Sequence, residues 1–327
     1  MIAVPGGLKV PGVSLSDWGY ASGWMMVRFM PEFAARNLFD AAALYASRGG
    51  GPDQLRKNLA RVIGVQPAEV PGSLMRASLA SYARYWREAF RLPTMNHAKL
   101  RRQLDDLVAG RHHLEAALAA GRGAVLALPH SGNWDMAGVW LVQTHGQFTT
   151  VAERLKPESL YKRFIDYREK LGFEVLPLSG GERPPYGLLR ERLNDNKIVC
   201  LLAERDLTRN GIQVDFFGEA TRMPAGPAKL AIETGAALLP VHCWFSDGGW
   251  GFEVFPALDC SSGDIGVITQ ALADRFASNI AAHPADWHML QPQWLADLRT
   301  GDDAGRKDPT SSRADSSEQR RARLGDT

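Results

Sequence analysis

From Gly123 onward, short apolar runs alternate with segments of helical character, and this alternation constrains the fold more than any other feature. A helix between two buried strands favours a largely parallel sheet covered by helices. The predicted strands are Ala124–Leu128, Phe148–Val151, Glu174–Pro177, Ile198–Leu202, Leu238–Cys243 and Gly251–Phe255. The predicted helices are Trp134–Gln143, Pro157–Leu171, Tyr186–Asn194 and Pro227–Thr234. We therefore expect an α/β fold: a single domain whose central, mostly parallel sheet is flanked by helices.

The residues before this region are predicted to be helical. The segment from Ser16 to Ser47 indicates one or two helices, divided at Pro31 because proline disrupts a helix interior. A basic helix follows at Asp53–Ile63. The strongest amphipathic stretch is Ser73–Arg91, which Pro93 ends.

Arginines and aromatic side chains share the Ser73–Arg91 stretch, a combination that favours anionic membrane interfaces. The apolar side chains Trp18, Trp24, Met25 and Phe29 would add a second anchor. The uncharged run Trp18–Val27 has about half of the ~20 residues that a spanning helix needs. An equally plain alternative is that the apolar half of Ser73–Arg91 packs on the sheet while its arginines face water.

The composition excludes several classes of protein. The 38 basic and 36 acidic residues leave a formal net charge of +2, so no global field indicates a nucleic-acid partner. The three cysteines, Cys200, Cys243 and Cys260, show neither paired nor metal-binding spacing. We therefore expect no disulfide bond, and an odd number of cysteines suits a protein of a reducing compartment. The segments His112-His113 and His242-Cys243 lack further ligands at metal-binding spacing, so no metal is expected.

The two chain ends give predictions about location and domain extent. Met1–Val27 lacks the features of a secretory signal, which places the protein in the cytoplasm or on its membrane face. Residues 301–327 contain almost no apolar side chain except Leu324 and are predicted to be a disordered polar tail. Residues 1–300 would then form the folded domain, with amphipathic, membrane-associating helices at its N-terminal end.

The segment His130-Ser-Gly-Asn-Trp-Asp135 follows a buried strand, at the sheet edge where open α/β sheets bind ligands. Ser131, Gly132 and Asn133 supply capping chemistry for the next helix, and Asp135 lies in its first turn. If Asp135 folds back, its carboxylate would fix the tautomer of His130 while the other ring nitrogen removes a hydroxyl proton. The alternative is that His130 only ends a strand.

A second polar segment, Glu204-Arg205-Asp206, follows the strand Ile198–Leu202. If this strand neighbours Ala124–Leu128, Glu204 approaches His130 from the other side as a second orienting carboxylate. Arg205, Arg209 and Arg222 are candidate phosphate ligands because guanidinium groups match phosphoryl oxygens. Each of these arginines is equally compatible with a solvated loop position.

Four motifs together resemble the glycerolipid and lysophospholipid acyltransferase superfamily: the H(x)4D of His130 and Asp135, Arg154-Leu-Lys-Pro157, Glu204-Arg205 and the strand end Leu238-Leu-Pro240. The resemblance covers about Ser16 to Arg299. Within the superfamily the chain looks like the lipid A late acyltransferase branch, and especially like its members that acylate phosphatidylinositol mannosides in actinobacterial envelopes. Glu204-Arg205-Asp206 stands where the glycerol-phosphate branch has Glu-Gly-Thr, which argues against glycerol phosphate as acceptor.

The resemblance implies transfer of a palmitoyl or similar chain from acyl-CoA, as co-substrate and without a further cofactor, to a mannose hydroxyl of a phosphatidylinositol mannoside. It implies His130 as the catalytic base, Glu204 as its partner and Asp135 as the motif aspartate, which we expect to organise the turn. Basic side chains near the site would bind coenzyme A or inositol phosphate groups. The implied substrate-binding residues are Arg168, Arg205, Arg154, Arg209 and Glu233.

Two other functions stay open at this level. A histidine with a carboxylate activates water as well as a sugar hydroxyl, and the chain has no G-x-S-x-G elbow, so the nearest alternative is a direct acyl-CoA thioesterase. A lipid carrier without catalysis is the alternative from another class. An acyl substrate would gain ~0.8 kcal/mol per buried methylene, so either kind of protein needs an apolar groove, which the helix after His130 would help to line.

Overall fold

The computed structural model describes residues 23–154, 158–206, 210–247 and 249–298. The strands are β1 (Val108–Ala109), β2 (Ala124–Leu128), β3 (Thr149–Ala152), β4 (Glu174–Pro177), β5 (Ile198–Leu202), β6 (Ile212–Phe216), β7 (Glu219–Met223), β8 (Ala237–Ser246) and β9 (Gly249–Val254). The helices are α1 (residues 23–29), α2 (Glu32–Ala46), α3 (Asp53–Ile63), α4 (Gly72–Arg91), α5 (His97–Asp105), α6 (Arg111–Ala119), α7 (Trp134–His145), α8 (Glu158–Lys170), α9 (Pro185–Asn194), α10 (Gly226–Thr234) and α11 (Ile265–Ala282). The predicted tail at residues 301–327 lies outside the described residues.

A seven-stranded sheet in the order β1-β9-β8-β2-β5-β3-β4 forms the centre of the molecule. Most neighbours are parallel, and β8 with β9 is the antiparallel exception. Every residue of β2 is buried, because helices cover both faces of the sheet; this burial explains why the run from Ala124 to Leu128 is continuously apolar. The predicted single α/β domain with a mostly parallel sheet is confirmed.

The register between β2 and β5 positions the site. Leu128 lies opposite Leu202, and the Ala203 backbone N–H donates to the Leu128 carbonyl at 2.8 Å. The two strands therefore end side by side, and the polar segments that follow them, at His130 and at Glu204, meet at one edge of the sheet. The predicted neighbourhood of these two strands is confirmed.

Helix boundaries agree closely with the sequence pattern where prolines or strong amphipathicity mark them. Residues 23–29 and Glu32–Ala46 are separate helices on either side of Pro31, and Asp53–Ile63 is observed as predicted. Helix α4 ends at Arg91, and Leu92–Thr94 continues as a 3-10 turn that contains Pro93. Five features had no sequence prediction: the helices α5, α6 and α11, the short strand β1 and the β6–β7 hairpin.

Three of the four arginines of α4, Arg84, Arg87 and Arg91, have partners within the protein, and Arg76 is exposed. Arg87 is buried, and both Arg87 and Arg91 pair with Glu32 at the start of α2. Arg91 also donates to the Val27 carbonyl at 3.1 Å and to the Met30 carbonyl. Helix α4 therefore holds α1 and α2 against the body of the protein. The alternative that the arginines of Ser73–Arg91 all face water is wrong, whereas contact of this helix with a membrane stays a prediction.

Exposed apolar side chains are concentrated instead on α1 and α2. The exposed set is Met25, Met26, Phe29, Phe33, Leu38, Leu44 and Tyr45. Phe29 and Phe33 are 70% and 71% exposed, so two phenyl rings lie almost fully in solvent at the junction of the helices. Among the described residues, no helix combines the length and apolar character needed to cross a bilayer.

Candidate active site

His130 and Glu204 form a bidentate pair at the ends of β2 and β5. The His130 Nδ1 atom lies 2.8 Å from Glu204 Oε1 and 3.0 Å from Oε2. The His130 backbone N–H donates to Oε1 at 2.7 Å, so the carboxylate fixes both the ring and the main chain. The His130 side chain is 33% exposed, whereas Glu204 is completely buried. Because Nδ1 faces the carboxylate, Nε2 is the nitrogen that remains to accept a proton.

Glu204 is held by two residues from the segment that follows α11. Gln293 Nε2 donates to the Glu204 carbonyl at 2.5 Å, and Trp287 Nε1 lies 3.4 Å from Oε1. Burial alone would raise the pKa of the Glu204 carboxyl, but the charge of His130 and the hydrogen bonds from its ring and backbone outweigh burial and lower this pKa. Glu204 is therefore an ionised, preorganised partner for an imidazolium.

The tight turn after His130 depends on Gly132. Its φ of 58° lies in the left-handed region, and a Cβ at this position would lie 2.5 Å from the Cys243 carbonyl carbon on β8. Ser131 Oγ donates to the Cys243 carbonyl at 2.9 Å. Asn133 caps α7 by accepting from the Met136 N–H at 3.0 Å, and its amide donates to Glu88 on α4 at 2.7 Å. The turn is thus fixed from two sides.

Asp135 has partners other than His130. Its Oδ1 accepts from Arg168 Nε at 3.0 Å, and its Oδ2 accepts from the Tyr85 hydroxyl at 3.0 Å. Burial lowers the pKa of the Arg168 guanidinium, but Asp135 outweighs this effect and raises it above the ordinary value. The structure therefore brings Glu204, and not Asp135, against the His130 ring, while Asp135 joins α7 to α8 and α4.

The remaining substrate-binding candidates divide between the site edge and distant positions. Arg205 follows Glu204 directly, and its Nη1 donates to Gln291 Oε1 at 3.1 Å. Arg154, exposed after β3, pairs with Glu158 at 2.8 Å. Arg209 lies outside the described residues.

Glu233 is placed far from the pair. It lies near the end of α10 and pairs with Arg190 and Lys229. Strand β8 starts just after α10 and runs parallel to β2, so Glu233 lies at the opposite edge of the sheet from His130. The structure gives no support to a role for Glu233 at this site.

An apolar cavity with about 780 Å³ of empty space, partly open to solvent, extends beneath α7. Its polar rim includes Asp135 and Arg168, and Trp134, which lines the cavity, also contacts the His130 ring edge-to-face at 5.5 Å between centroids. The cavity floor crosses the sheet, with wall residues on β1, β9, β8, β2, β5 and β3: Val108, Phe252, Val254, Val241, Leu126, Leu128, Cys200, Leu202 and Thr150. Burial in this wall raises the pKa of the Cys200 thiol, which acts here as an apolar group.

The segment Asp286-Trp287-His288 was missed by sequence reasoning. The Ser81 hydroxyl donates to Asp286 Oδ1 at 2.6 Å and lies 2.9 Å from His288 Nε2. The backbone N–H of His288 donates to the backbone carbonyl of His130 at 2.8 Å. Burial, and then the charge of His130, lower the pKa of His288 to about 3. The sequence signal that could have revealed this segment is the succession of an aspartate, a tryptophan and a histidine between Pro284 and Pro292.

Within the described residues, no cluster of three or more histidine, cysteine or acidic side chains is arranged to hold a metal ion. At this edge of the sheet, a carboxylate-supported imidazole lies beside an apolar cavity. Such a base can remove a proton from a hydroxyl group or from water.

Comparison with known proteins agrees with this geometry. The profile of the bacterial lipid A biosynthesis acyltransferase family matches residues 8–296. The chain is 74% identical over 305 residues to the phosphatidylinositol mannoside acyltransferase of Mycobacterium tuberculosis strain CDC 1551 / Oshkosh, covering 91% of this chain and 96% of the relative. It is 69% identical over 318 residues to the phosphatidylinositol mannoside acyltransferase of Mycolicibacterium smegmatis, covering 97% of this chain and 98% of the relative. The chain therefore belongs to the bacterial lipid A biosynthesis acyltransferase family.

Proposed function

We propose that this protein transfers a long fatty acyl chain, with palmitoyl as the expected group, from acyl-CoA to a mannose hydroxyl of a phosphatidylinositol mannoside. The observation that carries the proposal is the His130–Glu204 pair beside an apolar cavity. The names of the mycobacterial relatives support the choice of acceptor. Acyl-CoA is a co-substrate in this proposal, and no further cofactor is required.

His130 acts as the general base. As the acceptor oxygen attacks the thioester carbonyl, its proton moves to His130 Nε2, and the imidazolium is stabilised by Glu204 at Nδ1. The C–S bond breaks when the tetrahedral intermediate collapses, and the imidazolium returns its proton to the departing coenzyme A thiolate. The products are an acyl ester and free coenzyme A. Positioned proton transfer of this kind contributes roughly 10²–10⁴-fold to the rate.

The residues that line the cavity are spread widely enough to contact a whole acyl chain. They lie on strands from β3 to β1, which are separated by five strand spacings of about 4.8 Å, or ~24 Å. An extended sixteen-carbon chain, with bonds of about 1.5 Å, is roughly 20 Å long. The apolar wall would bind this chain at ~0.8 kcal/mol per buried methylene before ordering costs. We propose that Arg205 and Arg154 bind the phosphate-bearing parts of the substrates. Arg168, which pairs with Asp135, and Arg209, which lies outside the described residues, stay predictions from the sequence.

The two substrates partition into membranes, and we propose that the enzyme works as a peripheral protein on the cytoplasmic face of the plasma membrane. The exposed side chains of α1 and α2, with Phe29 and Phe33 at their junction, form the surface that would enter the lipid. The tethering of these helices by Arg91 would keep the apolar surface in a fixed orientation relative to the site.

The test incubates the protein with palmitoyl-CoA and phosphatidylinositol mannoside in vesicles and measures acylated mannoside and free palmitate separately by mass spectrometry. We expect acylated mannoside as the main product, and its loss in His130→Ala. Palmitate without acylated mannoside would identify a thioesterase instead. Undiminished acylation by folded His130→Ala would remove the catalytic role of His130, and binding of the acyl chain without turnover would favour a carrier.

A further inference from the structure

A second, shallower pocket lies between α1 and α8, separate from the acyl cavity, with about 610 Å³ of partly solvent-open space. Three cations line it, Arg28 from α1 and Arg163 and Lys170 from α8, against one carboxylate, Asp166. Arg163, Tyr167 and Lys170 are spaced so that they share one face of α8. Neither Arg163 nor Lys170 has an ion-pair partner among the described residues, so the pocket carries an excess of positive charge.

Arg28 is the most constrained of these cations. It is partly buried, and its Nε donates to the Phe90 carbonyl at 3.3 Å. Burial lowers its pKa, and the opposing interaction comes from Tyr167 rather than from a carboxylate. Within the described residues, no acidic side chain lies within ion-pairing distance of Arg28. A partly desolvated guanidinium without a counter-charge is unfavourable unless an anion binds there.

Two buried hydrogen-bond donors line the same pocket. The indole N–H of Trp24 and the hydroxyl of Tyr167 have no hydrogen-bond partner in the described part of the chain, although the two residues are only 9% and 3% exposed. Buried polar groups in native proteins are nearly always satisfied. A ligand rich in acceptor oxygens and negative charge would neutralise Arg28, Arg163 and Lys170, which is the chemistry of a phosphate group.

The surroundings of the pocket identify the source of the phosphate. Met25 lines the pocket and, with Met26 and Phe29 on the same helix, belongs to the exposed apolar surface of α1. When such a surface enters a bilayer, cations at its edge lie at the depth of the headgroups. We propose that the pocket between α1 and α8 binds the headgroup phosphate of an anionic membrane phospholipid. This inference rests on the proposed docking of α1 and α2 in the membrane.

The experiment measures co-sedimentation of the full-length protein with acceptor-free vesicles. One set is phosphatidylcholine alone, and the other contains phosphatidylcholine and phosphatidylglycerol at about 3:1, a composition that gives an anionic surface. The test variant is Arg163→Gln/Lys170→Gln, because both side chains are exposed and their loss should leave the fold intact. The matched control is Arg190→Gln/Lys197→Gln, which removes the same charge from exposed positions on and just after α9.

We expect the wild type to bind the anionic vesicles more tightly, the test variant to lose roughly tenfold or more of this affinity, and the control to change less than about twofold. Arg28→Gln, checked for folding by circular dichroism, should show the same loss. The proposal is overturned if the test variant binds anionic vesicles as tightly as the wild type, or if the control variant loses as much affinity as the test variant.

Three further outcomes distinguish failure of this proposal from failure of the proposed membrane docking. Equal wild-type binding to both vesicle types would leave the docking of α1 and α2 standing and overturn only the phosphate pocket. No binding to either type would overturn the docking, and the pocket with it. If the test variant bound vesicles normally but had a raised KM for the phosphatidylinositol mannoside, the pocket would belong to the acceptor's own phosphate, which would also overturn the proposal.

Discussion

The two carboxylates that the sequence offered as partners of His130, Glu204 and Asp135, have very different surroundings. Glu204 reaches His130 from the neighbouring strand and faces a side chain that is 33% exposed at the sheet edge. Asp135 is only five positions away from His130 in sequence, yet it forms a closed pair with Arg168 and accepts from Tyr85. Burial and the neighbouring Asp135 charge raise the pKa of the Tyr85 phenol well above its ordinary value, so the hydroxyl remains a donor.

The two carboxylates therefore have different roles. Glu204 supports an imidazole that gains and loses a proton in the proposed reaction. Asp135 and its partners Arg168 and Tyr85 join α7, α8 and α4. We therefore expect substitutions in the first region to affect turnover, and substitutions in the second to affect the free energy of unfolding.

The largest effect is expected for His130→Ala. Loss of the proposed general base should lower kcat for acyl transfer by roughly 10²–10⁴-fold, with little change in thermal stability, because the side chain is partly exposed. Acyl transfer and thermal unfolding are measured on the same preparation. A variant that unfolded well below the wild-type temperature would place His130 among the structural residues.

Asp135→Asn should destabilise the fold by about 3–5 kcal/mol, because it leaves the Arg168 guanidinium without a counter-charge in a buried position. Urea unfolding measures this loss. The double variant Asp135→Leu/Arg168→Met is the control, since replacing both charges with apolar groups should recover part of the lost stability. A double variant no more stable than Asp135→Asn would contradict the closed ion pair.

Glu204→Gln should lower kcat by roughly 10²-fold while changing KM little, because an amide neither favours the required tautomer nor stabilises the imidazolium. The glutamine oxygen can still accept from the His130 backbone N–H, so the fold should be retained. Steady-state kinetics and circular dichroism are the measurements. A loss of folded protein without a loss of specific activity would exchange the roles of Glu204 and Asp135.

The buried histidines give a smaller, pH-dependent effect. Burial, and then the nearby His283, lower the pKa of His242 from 6.5 to about 3. Between these two pH values the unfolded chain binds a proton at His242 and the folded chain does not. The stabilisation is present above pH 6.5 and is lost as the pH falls towards 3, at about 1 kcal/mol per pH unit. In His242→Phe, the free energy of unfolding should fall less steeply between pH 6 and pH 4 than in the wild type. Parallel slopes would show that His242 is protonated in the folded state.

Glu233→Gln should have the smallest effect. Its two ion pairs are at least one-third exposed, so we expect a change within about 1 kcal/mol in stability and no change in acyl transfer. Kinetics over a range of acceptor concentrations provide the test. An increase in KM would show that the acceptor extends to the opposite edge of the sheet.

Local patterns accounted for six of the nine strands and for most helices, because each of these elements depends on neighbouring residues. The run Ala124–Leu128 and the prolines at positions 31 and 93 place element boundaries without reference to the rest of the chain. Helix α11 was missed although Asp264 caps it, accepting from the Gly266 N–H at 2.7 Å. Its weak amphipathic pattern hid a helix that packs on β6 and β8. The β6–β7 hairpin was missed because its turn places Phe217, an unusual turn residue, at a φ of 55°.

The sequence alone determined that a histidine and a helix cap follow a buried strand, because strand periodicity and capping are local properties. Only the tertiary structure decided which carboxylate orients His130. The pairing of β2 with β5 brings Glu204 to the ring, and hydrogen bonds from Tyr85 and Arg168 occupy the Asp135 carboxylate. The same applies to the two amphipathic regions near the N-terminus. The α4 pattern predicted a membrane surface. In the structure, Arg87 and Arg91 pair with Glu32, and Arg91 also donates to the carbonyls of Val27 and Met30, while the exposed apolar face lies on α1 and α2. An amphipathic pattern shows that a face must be buried, whereas the partner that buries it is fixed by contacts between residues far apart in the chain.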